Sequence, residues 1–470
     1  MKKGILVYSM MGIISFFVLL SSGVSSAYAS EDIMTLTKNA VYNVLEVNRP
    51  VASMVIDAHD GRILWQEGID LPRDPASISK LMTLLLVFDA IKEGKFALDT
   101  QITATPKDEA IGKIYEISNN KMTSGVNYSV RELITLTLVP SSNVATIMLS
   151  RLVESNEGLF VTKMNEKAKF LGMNQTHFYN ASGASAVAFQ GYYQPQGYEW
   201  QKNNQTSARD LAIMTFHFLK DHPEITEFTK EPVVTTKKGT AHEETFEAYN
   251  HSLPGKKYAL TGVDGLKTGS SPLAAFNIVA TAKENNTRII GIIMGVGDWV
   301  DQDGEYYRHP FLNAIFKYAF ERYEYKKLLS AGENEINGQK IVLADDFYAT
   351  VDKNQEPKYQ LQNGTLQVES NQPLVNENLP VAQVNYHNLA MEKQNNQSKE
   401  KLSVQKQIIL PLLFLGAGIS SISCHFLIMR FKKKQRVKTR RRHRKSSLPS
   451  FLFIFIGFLF IIVSVLLYFV

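Results

Sequence analysis

The chain has 470 residues, 44% of them hydrophobic and 20% charged, with a formal net charge of +6 and a single cysteine. That length allows more than one domain with a sizeable core. The composition excludes a collagen-like or disordered chain, and one cysteine excludes an internal disulfide framework.

The opening stretch, "MKKGILVYSMMGIISFFVLLSSGVSSAYAS", joins a short basic start to an apolar run and small residues at Ala27 and Ala29. This order predicts a secretory signal peptide over residues 1–29, with an uncleaved N-terminal anchor as the alternative. Next, "ASMVIDAHDGRILWQEG" reads as two short strands around an Asp60-Gly61 turn. From Ser77 to about Glu93 the pattern predicts a helix that is apolar nearly all round, as for a helix buried inside a domain. "SVRELITLTLVPSSNVATIMLSRLVES" gives two helical pieces divided at Pro140, and "AAFNIVATAKENNTRIIGIIMGV" a second hairpin around Glu284-Asn285-Asn286. Strands at both ends of a helical middle predict a mixed α/β domain over residues 30–325, an antiparallel sheet flanked by helices with its first and last strands as neighbours.

Residues 326–390 alternate between strand and turn signals, as in a small all-β domain. Residues 391–407 are polar and read as a stalk. Residues 408–429 and 448–470 are apolar and each reach the roughly 20 residues of a membrane-spanning helix, which predicts a two-span hairpin in the lipid. Between them, "RFKKKQRVKTRRRHRK" holds eleven Lys or Arg and no acid. Such a run could meet nucleic acid. Flanked by spans it is better read as a cytoplasmic loop (residues 430–447), so no nucleic-acid partner is expected and the rest lies outside. With that loop and the two signal lysines set aside, 38 basic residues face 45 acids, so the exported part carries about −7.

The chemistry centres on "DPASISKLMT", where Ser77 and Lys80 stand three apart at the mouth of the apolar helix. Residues so spaced share a helix face, and a lysine beside a hydroxyl can activate it as a nucleophile. Ser-x-x-Lys alone says little, since roughly two occur by chance in a chain this long. Three more are present, at Ser118/Lys121, Ser398/Lys401 and Ser403/Lys406. Ser77 differs in opening a buried helix, where N–H groups and the dipole favour negative charge. "PSSN" adds Ser141 and Asn143, which could equally be a helix cap, and Ser118-Asn119-Asn120 is a similar turn. "VDGLKTGSS" is more specific. Lys267 and Thr268 on a strand edge could grip a carboxylate, with Gly269 allowing close approach.

In this order the three elements resemble the active-site serine enzymes that recognise penicillin. The stretches "VIDAHDGRILWQEG", "MNEKAKFLGMNQTHFYNASG", "TSARDLAIM" and "VDGLKTGS…AAFNIVATAKENNTRIIGIIMG" resemble the serine-type D-alanyl-D-alanine carboxypeptidases, the low-molecular-mass penicillin-binding proteins, over roughly Lys38 to Tyr325. The β module resembles that family's C-terminal domain more weakly. The resemblance implies a penicillin-binding, transpeptidase-like fold and removal of the last D-alanine from a peptidoglycan stem peptide. It implies Ser77 as nucleophile, Lys80 as base for both steps, and Ser141 as proton relay. It further implies Asn143 on the peptide amide, Lys267 and Thr268 at the terminal carboxylate, Gly269 and Ser270 beside them in substrate binding, and the N–H groups of Ser77 and Ser270 as oxyanion donors. β-Lactams would be acylating inhibitors. A two-span anchor departs from the single amphipathic helix usual in these relatives.

No cofactor and no metal are expected. "HEETF" begins at His242 like a zinc-protease motif, but Phe246 stands where the second histidine is needed. "FQGYYQPQGYEW" reads equally as a substrate-groove wall or a packed loop. The rival functions are a D,D-endopeptidase or β-lactamase on the same fold, and a non-turnover β-lactam sensor or wall-binding scaffold.

Overall fold

A computed structural model describes residues 31–436 and 451–468. The expected signal peptide and most of the basic loop lie outside these residues. Contacts divide the described chain into two units. The first runs to Leu328 and takes in Tyr348–Gln360 and Gln367–Gln383; the second holds Leu329–Phe347, Leu361–Leu366 and everything from Val384 onward. The expected all-β stretch therefore contributes to both. Thr350 shows why part of it belongs with the first unit, because its Oγ1 donates to the buried Asp57 at 2.8 Å.

In the first unit a helix, α1 (Ile33–Asn39), precedes the hairpin of β1 (Ala52–Asp57) and β2 (Ile63–Glu67). Gly61 turns that hairpin with φ +77°, a conformation glycine adopts without strain. The helical middle follows: α2 (Lys80–Lys92), α3 (Val130–Leu138), α4 (Asn143–Val153), α5 (Glu157–Leu171) and α6 (Ala208–Asp221). α2 is buried on almost every side, as its continuous apolar run requires. Pro140 separates α3 from α4, as expected. Three strands, β3 (Val263–Ser271), β4 (Ala275–Glu284) and β5 (Thr287–Val296), and the helix α7 (Gly304–Arg322) complete the domain.

The sheet order is β2-β1-β5-β4-β3, with every pairing antiparallel. The first strand β1 lies beside the last strand β5, as the sequence suggests. β1 is buried along its length, and β4 and β5 nearly so. A strand buried at successive residues is covered on both faces. α7 closes against β5 at Gly291, where a Cβ would stand 2.4 Å from Phe316 Cε1 and 2.8 Å from Leu312 Cδ1. This order leaves β3, which carries Lys267 to Ser270, as an edge strand.

In the second unit the strands Gly332–Ile336 and Gln339–Leu343 form a hairpin, and Gln383–Asn388 pairs with the latter. A 48-residue helix, Leu389–Arg436, follows, so the expected polar stalk is the first part of a continuous helix. Its portion Ile408–Phe431 is the one helix among the described residues long and apolar enough to cross a membrane. The 18-residue helix Phe451–Tyr468 packs against it through glycines. A Cβ on Gly418 would stand 2.8 Å from Gly457 O, and Ser464 Oγ donates to Pro411 O at 2.7 Å. Small residues let apolar helices approach this closely.

Gly291→Ala is expected to cost about 1–3 kcal/mol through overpacking. Its cost should shrink when combined with Phe316→Leu, as a thermal-denaturation double-mutant cycle on the detergent-solubilised chain can measure. Additive losses would mean that α7 yields freely at this contact.

Candidate active site

Ser77 lies in a short 3₁₀ turn, Ala76–Ser79, that runs straight into α2 at Lys80. Side chains three apart eclipse in such a turn, and Lys80 Nζ and Ser77 Oγ are hydrogen-bonded at 3.0 Å. No side chain caps the turn, and Ala76 is held at φ +47°. It is pinned from outside instead. Asp74 Oδ1 accepts from the Ala76 N–H, and Asp74 Oδ2 accepts from Ser271 Oγ and Asn203 Nδ2, all at 2.8 Å. Two glycines close on the same turn. A Cβ on Gly183 (φ +92°) would stand 1.9 Å from Ala76 O, and one on Gly269 of β3 would stand 2.6 Å from Pro75 O.

Lys80 is fully buried. Its Nζ also donates to Asn143 Oδ1 at 2.9 Å and to Ser182 O at 2.7 Å. No carboxylate is among its hydrogen-bond partners. Burial, and then the charge of Lys267, hold the amine well below the ordinary lysine range.

Asn143 is the first residue of α4. The Ser118 carbonyl accepts from its N–H at 2.9 Å and from its Nδ2 at 2.8 Å, which turns Oδ1 towards Lys80. The cap of α4 is Ser142, whose Oγ accepts from the Ala145 N–H at 3.1 Å and donates to Asn120 Oδ1 at 2.7 Å. The Ser118–Asn120 turn, which the sequence does not set apart from chance, thus braces the site. Ser141 is left free of capping. It is buried at φ +61°, and its Oγ has no hydrogen-bond partner.

On β3, Lys267 is buried and its Nζ donates to Thr268 O at 3.0 Å. Burial, and then the charge of Arg308, lower this amine to about 7. Thr268 is buried beside it. Arg308 reaches in from α7, donating through Nη1 to Ser270 Oγ at 3.1 Å and to Asn277 O at 3.3 Å. It too is buried, which lowers it to about 10. Two buried basic side chains under one strand edge, when protonated, can attract an anion. The sequence reading misses Arg308, since no local motif marks it. It also leaves Ser182 unassigned, although "YNASG" stands among the quoted stretches.

The arrangement brings Ser77, Lys80 and Asn143 into one hydrogen-bonded group, with Gly269 packed on the Ser77 turn. Ser141 joins that group through no hydrogen bond. "HEETF" falls in the hairpin of Val233–Thr236 with Glu244–Glu247, not on a helix. Among the described residues no group of three or more His, Cys, Asp or Glu is placed to hold a metal. A cavity of about 950 Å³ lies elsewhere, lined by Trp65, Tyr318 and Gln372 among others. Its Arg62 and Arg322 are paired with Asp60 and Asp352.

The D-alanyl-D-alanine carboxypeptidase family model matches residues 45–298, more than half of the chain. The chain belongs to that family. Residues 325–387 match a domain of unknown function. The chain is 28% identical over 331 residues to the D-alanyl-D-alanine carboxypeptidase DacA of Haemophilus influenzae, covering 67% of this chain and 76% of that one. It is 27% identical over 283 residues to DacF of Bacillus subtilis, covering 58% of this chain and only 62% of that relative's length. In fold it is similar to a peptidoglycan synthesis regulatory factor (PBP3) from Streptococcus pneumoniae, with TM-score 0.61 and 24% identity over 72% of this chain and 98% of that one. Penicillin binding protein 5 of H. influenzae gives TM-score 0.55 and 24% identity, over 74% of this chain and 98% of that one. The expected mixed α/β, penicillin-binding-protein-like fold is thereby confirmed, with one helix among the described residues long and apolar enough to span a membrane.

Gly183 and Gly197 have φ of +92° and +88°, but nothing lies within 4 Å of a Cβ on Gly197. Gly197→Ala is expected to lose about 1–2 kcal/mol from the backbone alone. Gly183→Ala should lose clearly more, because the Ser77 turn must move. Thermal denaturation compares them, and equal losses would mean the turn is not held by that contact.

Proposed function

We propose that this chain is a membrane-tethered serine D-Ala-D-Ala carboxypeptidase, removing the terminal D-alanine of peptidoglycan pentapeptide through an acyl-enzyme on Ser77. The observation that carries this reading is the hydrogen bonding of Lys80. A neutral amine has two N–H groups and one lone pair. Asn143 Oδ1 and Ser182 O can only accept, so they take the two N–H groups. The lone pair is left facing Ser77 Oγ at 3.0 Å. Ser77 Oγ then attacks the carbonyl carbon of the penultimate D-alanine while its proton passes to Lys80.

The charge that develops on the carbonyl oxygen falls to the N–H groups of Ser77 and Ser270. The terminal carboxylate is held by Lys267, with Thr268 beside it and Arg308 behind. Asn143 Nδ2 keeps one N–H for the peptide amide. Ser141, whose buried hydroxyl lacks a protein partner, relays the proton from Lys80 to the leaving amine. A water deprotonated by Lys80 releases the acyl group. A β-lactam carbonyl would take the same path, but its amine stays tethered and the acyl-enzyme persists. The apolar helix Ile408–Phe431 supports membrane attachment. The second C-terminal helix is read as a second span, with the basic loop cytoplasmic and the catalytic domain outside.

Incubation with a peptide ending in Lys-D-Ala-D-Ala should release free D-alanine, and Ser77→Ala should abolish both release and fluorescent-penicillin labelling. Labelling without release would favour a non-turnover sensor. The base must be neutral and Lys267 charged. The rate should therefore rise with pH as Lys80 loses its proton, and kcat/KM should fall above about 7 as Lys267 loses its own. A profile without a fall on the alkaline side would remove Lys267 from substrate binding. A reporter fused after Lys445 should behave as cytoplasmic; an outward signal there would reverse the orientation.

A further inference from the structure

The aromatic stretch Phe189–Trp200 is a packed loop rather than an open wall. Phe189 and Tyr193 are buried with ring centroids 5.0 Å apart, while the Gln194 N–H donates to Glu157 Oε2 at 2.7 Å. Its innermost group is the Tyr193 hydroxyl, which accepts from the Ala181 N–H at 3.0 Å. The carbonyl of Ala181 accepts from Thr83 Oγ1 at 2.6 Å. Thr83 stands three residues beyond Lys80 on α2, on the same face. The next carbonyl, that of Ser182, is the one that accepts from Lys80 Nζ at 2.7 Å. Further along, the Ser182 and Gly183 N–H groups both donate to Asn180 Oδ1, at 3.2 and 2.6 Å.

Two acceptors confine the Lys80 amine, and each has its own support. Asn143 Oδ1 is oriented by the Ser118 carbonyl. The Ser182 carbonyl shares its peptide with the Gly183 N–H, held by Asn180. The two peptides leading into it are held one by each side chain: Tyr193 takes the Ala181 N–H and Thr83 donates to the Ala181 carbonyl. We propose that Tyr193 and Thr83 are positioning residues for acyl transfer, fixing the Ser182 carbonyl so that the lone pair of Lys80 has only Ser77 to face. This rests on the reading of Ser77 and Lys80 as nucleophile and base. The Tyr193 hydroxyl suits the task because burial pushes its pKa up, so the phenol stays a neutral acceptor at any working pH. Around Lys80 the remaining groups are neutral except Lys267 on β3, whose field reaches it, with Arg308 on α7 behind. A carbonyl aimed at an amine favours the ammonium form. Loosening it should therefore move the acid limb of the rate profile to lower pH, while the loss of alignment slows the reaction.

The experiment uses the full chain in detergent, with D-alanine release from Lys-D-Ala-D-Ala peptide measured across pH and melting measured in parallel. Tyr193→Phe and Thr83→Val should each lower kcat/KM by about tenfold or more. Each should also shift the acid limb down by about half a pH unit. Thr83→Ser, which keeps the hydroxyl, should restore both. Tyr198→Phe is the control, since that hydroxyl, borne on the same loop, meets Thr162 Oγ1 at 3.0 Å and Asn165 Nδ2 at 3.4 Å, both on α5, without touching Ala181. It should leave the limb in place. An unmoved limb in Tyr193→Phe, or the same shift in Tyr198→Phe, would overturn the inference while the carboxypeptidase reading stands. If Tyr193→Phe does not fold, Thr83→Val tests the same carbonyl from its other side. A parent that releases no D-alanine would remove the functional reading, and this inference with it.

Discussion

Lys80 Nζ sits in the interior hydrogen-bonded to three oxygens, none of them from a carboxylate among the described residues. An ammonium buried in that way costs several kcal/mol, and the loss is avoided by releasing the proton. Lys267 adds to the same pressure from β3. The first unit is arranged around keeping this amine dry, unpaired and aimed. α2 is buried on nearly every side, the Ala181–Gly183 peptides cover one flank, and Asn143 at the head of α4 covers another.

Holding such an amine against a serine requires the surrounding backbone to be stiff, and several independent contacts provide that stiffness. Asp74 joins the Ser77 turn to Ser271 at the end of β3 and to Asn203, while Asn277 Nδ2 on β4 donates to Asp74 O at 2.9 Å. Gly183 and Gly269 bring two chains against the turn at distances no Cβ would permit. Two of the non-glycine residues at positive φ, Ala76 and Ser141, flank Ser77 and Asn143. β3 is an edge strand of the sheet, so Lys267 on it, with Arg308 reaching in from α7, stands at the margin of the sheet rather than inside it.

Much of this was legible beforehand. The hairpins, the break at Pro140, the buried helix and the neighbouring first and last strands all follow from local patterns of apolar residues and turns. Ser77, Lys80, Asn143 and the Lys267-Thr268-Gly269 segment stand in short motifs, and folding brings them to one place. The continuous helix through the polar stalk was not legible, because composition there resembles a linker. Ser142 rather than Ser141 proved to be the cap, a distinction of one residue that spacing cannot make.

The amino-acid order by itself determined which segments are strands, helices and apolar spans, since these depend on periodicity and on neighbours in the chain. It also determined the pairing of Ser77 with Lys80, which a single turn of helix enforces. Only the tertiary structure decided that Arg308 lies behind Ser270, that Ser118 and Ser182 orient the groups around Lys80, and that Tyr193 reaches the N–H of Ala181. Those relations join residues far apart in the chain through single hydrogen bonds. Their directions depend on how sheet, helices and loops pack, and no local pattern encodes that packing.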